Sequence, residues 1–225
     1  MDLLREFCSE NVELVPQALA AGADRVELCD NLARGGTTPS AGVIRAACDL
    51  ARLRGVGVMV MVRPRGGDFA YSAAELAIMR DDIAWARELG AAGVVFGCER
   101  GGRLDEGETA QLLEAAHAPG ERRLDVTFHM AFDEIAPDAQ GSALAWLAAR
   151  GVARVLTHGG PLGTPVGETL DRLAELVALG RKLGVGVLPG GGITWENAES
   201  VAGALGVREV HGTRVVRLGQ CEVGL

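Results

Sequence analysis

The sequence predicts a single domain, spanning residues 1–225, with a (β/α)8-barrel fold. Its 225 residues are 48% hydrophobic and 23% charged, the composition of a globular domain long enough to bury a core without cross-links. Seven glycines, spaced by roughly 30 residues, each open a short apolar segment of β type. An interval of this length accommodates one strand, one helix and two short loops. With LLREF at the amino terminus, the predicted strands in chain order are LLREF, GADRVEL, GVGVMVMV, GAAGVVF, GERRLDVTF, GVARVL, GVGVLP and GVREVHG.

The segments between these strands have helical periodicity. Two sets of apolar residues recur at helical spacing, namely Leu76, Met79, Ile83 and Ala86, and Leu170, Leu173, Leu176 and Val177. Ser72 with Glu75 three residues later predicts a capping box, and Thr194 is a second predicted N-cap. The glycine after each helix is typical of the C′ position, where φ is positive. A doubly wound open sheet is the alternative, but no G-x-G-x-x-G follows the first strand, so no nicotinamide cofactor is expected.

Composition and charge exclude several classes of protein. The net charge of −8 argues against nucleic acid and anionic lipid as partners. The longest stretches without charge have 13 residues and are rich in glycine and proline, too short to span a membrane. Charged residues within the first six positions exclude a signal peptide. Five cysteines without a C-x-x-C motif favour a reducing compartment over a disulfide framework. We therefore expect a cytoplasmic protein.

The carboxyl ends of the predicted strands carry polar residues that alternation directs into the barrel. Functional residues of such barrels lie at this end, and residues two apart on a strand share a face. The interior would therefore hold Glu6, Glu27, Arg63, His129 and Glu209, where such barrels normally place Val, Ile and Leu. Buried ionised groups need partners. Either these residues form a network that only satisfies itself, or they form a reaction or binding site.

An enzyme interpretation depends on acid–base chemistry. The candidate catalytic residues are Glu6, Glu27, Arg63, Asp68, His129 and His211. A hard divalent ion would have Glu6, Glu27, Asp68 or Asp133 as ligands. Lys182, in a helix, is the single lysine, which argues against Schiff-base chemistry and pyridoxal phosphate. A serine triad lacks its G-x-S-x-G elbow.

A glycine-rich loop after the seventh strand suggests anion binding. Loops after the seventh and eighth strands often hold phosphate in these barrels, and arginine binds phosphate or carboxylate with two parallel hydrogen bonds. The candidate anion ligands are Arg65, Gly190, Gly191, Gly192 and Thr213. The alternative is that the glycine run only makes a tight turn.

Seven segments resemble the CutC family over nearly the whole chain. They are GADRVELC at 22–29, GGTTPSAGVI at 35–44, RPRGGDFAYS at 63–72, TFHMAFD at 127–133, RVLTHGG at 154–160, PGGGITWENA at 189–198 and EVHGTR at 209–214. The resemblance implies a cytoplasmic (β/α)8 barrel, an oligomer and a role in copper(I) handling. Met130, His158 and Gly212 depart from the family pattern, which typically has arginine, serine and often serine at these positions.

Two cysteines are the candidate copper(I) ligands. Copper(I) favours thiolate, thioether and imidazole ligands, and Cys8 and Cys29 end adjacent strands about 4.8 Å apart. His129 or His211 would complete the site. The alternative is that both cysteines are small apolar fillers of the interior. Cys48, Cys98 and Cys221 have no evident partner in the sequence.

Three functions remain open at this stage. The first is a copper homeostasis protein that binds copper(I) at Cys8 and Cys29. The second is a lyase or isomerase acting on a small anionic, sugar-like metabolite, either phosphorylated or carboxylated. The third is a structural or partner-binding barrel with a satisfied polar interior. We expect a homo-oligomer, with an interface on the outer helices or on the loop at Asn31–Ser40.

Overall fold

Eight parallel strands form the central sheet in a computed structural model that describes residues 2–219. The strands are β1 (Leu4–Glu10), β2 (Arg25–Cys29), β3 (Gly57–Met61), β4 (Gly93–Phe96), β5 (Asp125–Phe128), β6 (Arg154–Thr157), β7 (Gly186–Pro189) and β8 (Glu209–Gly212). From β1 to β7, each strand is hydrogen-bonded to the next strand along the chain. β1 also pairs with β8. The barrel is nearly closed, because β7 and β8 are not paired in the described residues. An isolated parallel bridge from Thr194 to Arg214 joins the loops that follow them, and the Arg214 carbonyl accepts the Trp195 N–H at 2.7 Å. The predicted barrel is confirmed.

Seven α-helices surround the strands in the described part of the chain. They are α1 (Val15–Ala20), α2 (Ala41–Arg52), α3 (Ala73–Glu88), α4 (Glu106–Ala116), α5 (Gln140–Ala149), α6 (Val166–Leu183) and α7 (Ala198–Leu205). Two 3₁₀ helices, Leu32–Arg34 and Met130–Glu134, follow β2 and β5, and a hairpin of Glu99–Arg100 with Arg103–Leu104 follows β4. Between β8 and residue 219 there is no helix.

The glycines and capping residues of the sequence predict most helix ends correctly. All seven glycines that open the predicted strands have positive φ, and Gly184 and Gly206 directly follow α6 and α7. The capping box of Ser72 and Glu75 is present at the start of α3. The predicted N-cap at Thr194 is wrong. Thr194 takes part in the isolated bridge to Arg214, and α7 begins four residues later, after Asn197.

The two faces of the strands carry the predicted types of residue, apolar towards the helices and polar towards the barrel interior. Residues facing the helices are buried and apolar: Phe7, Val26, Leu28, Val60, Val62, Val126, Phe128 and Val210. Glu6, Glu27, Arg63, His129 and His211 are also buried, in the barrel interior or at its carboxyl-terminal mouth. Among residues 2–219, no helix is both long and apolar enough to cross a membrane. Cys221 lies outside the described residues.

Candidate functional site at the barrel mouth

Five charged residues form an ion-pair network towards the amino-terminal ends of the strands. Arg25 pairs through Nε with Glu6 and through Nη2 with Glu209 at 2.7 Å. Arg154 approaches Glu209 at 3.4 Å and Asp125 at 3.2 Å. Each carboxylate has a guanidinium partner, so this network satisfies itself. Of the interior residues named from the sequence, Glu6 and Glu209 belong to it.

The sequence analysis did not single out Arg25 and Arg154. Both are the first residues of their strands, β2 and β6, and alternation from Glu27 already places Arg25 on the inner face. Glu209 belongs with them, at the start of β8, and not at the mouth with His211. Following this alternation back to the first residue of β2 would have identified Arg25 as an interior residue from the sequence.

Glu6 connects this network to the mouth. Its Oε1 lies 2.8 Å from His211 Nδ1, while its Oε2 accepts from Arg25. Burial alone would raise the pKa of Glu6, but the hydrogen bond with His211 and the charge of Arg25 outweigh it and lower the pKa to about 2. Glu6 is therefore an ionised carboxylate that orients the His211 ring.

Cys8, Glu27 and Cys29 form the centre of the mouth, which we call the thiol cluster. Glu27 Oε1 lies 3.5 Å from the Sγ atom of each cysteine, and one ligand atom from each of the three residues lies within 4.8 Å of the others. The strand register differs from the expected one, because Cys8 lies opposite Glu27 and Cys29 lies opposite Glu10. The side chains still meet, since all three point into the barrel.

The thiol cluster favours one thiolate beside one thiol. A hydrogen bond from Cys29, with a further contribution from His211, overcomes burial and lowers the pKa of Cys8 to about 5. The hydrogen bond to Cys8 and burial raise the pKa of Cys29 well above its usual value. Burial likewise raises the pKa of Glu27. Cys8 is therefore the more acidic of the two thiols.

His211 forms one side of the thiol cluster. Its Nε2 lies 3.9 Å from Glu27 Oε1. Burial alone would lower the pKa of His211, but Glu27, Cys8 and Glu6 raise it well above the usual value. A positive imidazole ring between two carboxyl groups and a thiolate therefore compensates the charge of this cluster.

The apolar surroundings of the thiol cluster are rich in sulfur. Met59, Met61 and Val95 pack with the two cysteines in one buried group. Gly36 on the β2–α2 loop approaches from above, where an added Cβ atom would lie 3.3 Å from Cys29 Sγ and 3.5 Å from Met61 Cε. Thioether and thiolate sulfurs are soft donors, so the chemistry of this donor set fits a soft metal ion.

A hard divalent ion fits the structure less well. Glu6, Glu27 and His211 offer ligand atoms within 4.8 Å of one another, but both Glu6 oxygens are already engaged by Arg25 and His211. The other two carboxylates expected as ligands lie elsewhere. Asp68 pairs with Arg65 at 3.0 Å, and Asp133 accepts the Thr157 hydroxyl and the backbone N–H groups of residues 158 and 159.

Arg63 is a buried cation that holds loops together. Its Nη1 donates to the carbonyls of Arg34 and Gly36 at 3.0 and 3.1 Å, and its Nη2 donates to the carbonyl of Gly67 at 2.6 Å. The guanidinium lies over the ring of Phe69, 4.6 Å from its centroid. No carboxylate pairs with Arg63 among residues 2–219.

His129 packs against the ring of Phe69. Their ring centroids are 4.9 Å apart. Its Nδ1 accepts the Ala131 N–H at 3.1 Å, so Nε2 carries the proton of the neutral ring. Burial, with the charge of Arg63, lowers the pKa of His129 to about 3. His129 is therefore a neutral, buried imidazole ring.

Replacing Gly97 tests how tightly His129 is packed. In Gly97→Ala, the new Cβ atom would lie 2.6 Å from His129 Nδ1 and 2.9 Å from the Ala131 side chain. We expect chemical denaturation to show a loss of about 1–3 kcal/mol of stability through overpacking. Gly167→Ala in α6 is the matched control, since nothing lies within 4 Å of its added Cβ atom. Equal stability of the two variants would contradict the packing described for His129.

The candidate anion ligands separate into two places. Gly191, Gly192 and Thr213 line a cavity of about 200 Å³ between the loops after β7 and β8, and Gly190 begins the first of these loops. Arg65 does not reach it. Its guanidinium binds Glu75 at 2.5 Å and Asp68 at 3.0 Å, in the loop before α3.

The three departures from the family pattern all lie around this cavity. Met130 lines it. His158 ties the loop after β6 to the glycine loop, with its ring nitrogens 3.1 Å from the Gly190 carbonyl and 2.9 Å from the Thr164 carbonyl. A Cβ atom at Gly212 would lie 2.4 Å from the Ile193 carbonyl oxygen, so serine does not fit this position without a shift of the loop.

The fold and the site define a (β/α)8 barrel with a buried cluster of thiol, carboxyl and imidazole groups at its carboxyl-terminal mouth. The CutC family model matches residues 3–216. A CutC family protein from Enterococcus faecalis is 48% identical over 215 residues, covering 95% of this chain and 100% of the relative. A relative from Streptococcus pyogenes is 43% identical with the same coverage. The chain belongs to the CutC family, which is associated with copper homeostasis.

Solved structures agree with this assignment. The crystal structure of CutC from Streptococcus agalactiae, named as a copper homeostasis protein, has a TM-score of 0.89 at 40% identity and covers 95% of this chain and 100% of its own. A deoxyribose phosphate aldolase from Aeropyrum pernix has a TM-score of 0.70 at 16% identity, covering 95% of this chain and 87% of its own. The second likeness concerns the fold alone.

Proposed function

We propose that this protein binds copper(I) at the thiol cluster and acts in copper homeostasis. The observation that carries the proposal is the meeting of two buried cysteine sulfurs around Glu27, with one ligand atom of each residue within 4.8 Å of the others. Thiolate is the preferred ligand of copper(I), and the hydrogen bond from Cys29 lowers the pKa of Cys8 to about 5, which favours its thiolate form. The neighbouring methionines keep the surroundings soft and apolar.

The protonation state of the thiol cluster suits exchange of a monovalent soft ion. Binding to both sulfurs requires loss of the Cys29 proton, because the thiolate is the ligand. The charge then added by copper(I) offsets the second thiolate. Glu27, whose Oε1 contacts both sulfurs at 3.5 Å, and His211 remain to hold the two cysteines in place. Affinity is therefore expected to rise with pH.

An anaerobic copper(I) titration against a competing chelator tests this proposal. We expect the protein to bind one ion tightly and a Cys8→Ala/Cys29→Ala double variant to lose this binding. The matched control is Cys48→Ala/Cys98→Ala, which removes two other buried cysteines that lie in α2 and after β4. Circular dichroism should show that all three proteins are folded.

Two results would contradict the copper proposal. One is tight binding that survives in the Cys8→Ala/Cys29→Ala variant. The other is an equal loss in the Cys48→Ala/Cys98→Ala variant, which would mean that copper(I) binds any free thiol of the chain.

We also propose that the protein acts in the cytoplasm. The four described cysteines are all free and buried, and free thiols persist in reducing compartments. The lyase or isomerase alternative is not favoured. Of its six candidate residues, Asp68 pairs with Arg65 in the loop before α3, and Arg63 donates to three backbone carbonyls rather than to a carboxylate.

A further inference from the structure

A small cavity lies beside the thiol cluster, between the loops that follow β7 and β8. Its volume is about 200 Å³, below the roughly 300–1,000 Å³ of pockets that enclose drug-sized ligands. The lining includes Gly191 and Gly192 from one loop, Thr213 and Arg214 from the other, and His211. A cavity of this size accommodates a group as small as a phosphate.

Several backbone N–H groups of the lining have no hydrogen-bond acceptor within the described residues. Gly191 and Gly192 both have φ of +79°, a conformation that L side chains rarely adopt, so both positions favour glycine. Among residues 2–219, the backbone N–H groups of Gly191, Gly192 and Thr213 have no hydrogen-bond partner. The Thr213 side chain is exposed and likewise unpaired in that part of the chain. Unpaired backbone donors around a concavity are a common arrangement for anion binding.

The charge of the lining is positive. Within the described residues, Arg214 makes no ion pair, and none of the residues lining the cavity is acidic. A larger cavity at the opposite end of the barrel differs in this respect, because its Arg154 pairs with Glu209 and Asp125. An arginine without a carboxylate partner on a protein of net charge −8 marks a place where an anion is attracted rather than repelled.

We propose that this cavity binds the phosphate group of a small phosphorylated metabolite. The unpaired N–H groups and the Thr213 hydroxyl donate to phosphate oxygens, and Arg214 supplies the charge. His211 lines the cavity and also contacts the thiol cluster, so the two sites are neighbours, but the phosphate ligands are distinct from the two cysteines.

Isothermal titration calorimetry at constant ionic strength tests the proposal with three probes: glycerol phosphate, inorganic phosphate and glycerol. We expect saturable binding of glycerol phosphate, weakened at least ten-fold in Arg214→Gln. The matched control is Arg217→Gln, three residues away, where the guanidinium stacks on Trp195 at 4.8 Å and does not line the cavity. Its affinity should stay within two-fold of the parent protein. Glycerol should not bind.

The remaining outcomes separate the alternatives. Absence of saturable binding by both phosphate compounds would overturn the proposal, as would equal weakening in Arg214→Gln and Arg217→Gln, which indicates only a general charge effect. Equal affinity for inorganic phosphate and glycerol phosphate would overturn the proposal that the ligand is a metabolite, and would indicate a site for free phosphate. The Cys8→Ala/Cys29→Ala variant should keep phosphate binding, so failure of the copper proposal leaves this one standing.

Discussion

Arg25→Met is expected to lower the free energy of unfolding by about 3–5 kcal/mol, the usual effect of removing one partner from a buried ion pair. Arg25 is 8% exposed and Glu6 is fully buried. Without the guanidinium, the Glu6 carboxylate keeps only His211 as a partner, and Glu209 keeps only Arg154. Methionine retains most of the volume of the side chain, so the loss reports charge rather than a cavity. Urea denaturation monitored by circular dichroism measures it.

A surface pair provides the control for Arg25→Met. Arg52 pairs with Asp49 at 3.1 Å, but its side chain is 77% exposed, and exposed ion pairs contribute about 1 kcal/mol or less. Arg52→Met should therefore change stability little. If Arg25→Met were equally mild, the network would be better hydrated than its burial indicates.

Alternation along the strands predicted the composition of the thiol cluster but not its register. Glu6, Cys8, Glu27, Cys29 and His211 were placed on inner faces by the period of two, and all five are inside. Their relative heights depend on how strands stagger around a barrel. The stagger that sets Cys8 opposite Glu27 is a long-range property, and no local pattern in either strand encodes it.

Loop residues were the least predictable part of the site. Arg65 and Asp68 were expected at the mouth because they follow β3, yet they pair with each other, and Arg65 also binds Glu75 at the start of α3. Asp133 was a possible metal ligand, yet it caps the end of β6 through the Thr157 hydroxyl and two backbone N–H groups. Loop side chains satisfy whichever backbone groups lie nearby, and the sequence does not reveal those neighbours.

Stability is expected to fall as the pH is lowered from about 4.5 to about 2, because of Glu6. The folded protein lowers the pKa of Glu6 from its usual 4.5 to about 2. A carboxyl group with a lowered pKa stabilises the folded state above its unfolded pKa and loses that contribution as the pH falls through the folded pKa. The difference corresponds to about 3 kcal/mol. Urea denaturation at successive pH values should show the decline across this interval.

Glu6→Gln separates this contribution from that of other carboxyl groups. The variant is expected to be less stable at neutral pH, since glutamine cannot pair ionically with Arg25 and His211, and its stability should depend less on pH between about 4.5 and 2. Asp68 and Glu75 also have lowered pKa values, through hydrogen bonds with Arg65 and with the backbone. They lie on the surface, and their contribution persists in the variant. An unchanged pH dependence in Glu6→Gln would mean that Glu6 does not carry the buried charge. His211, whose pKa is raised, stays protonated throughout this interval, so the decline reports the carboxylate side of the pair.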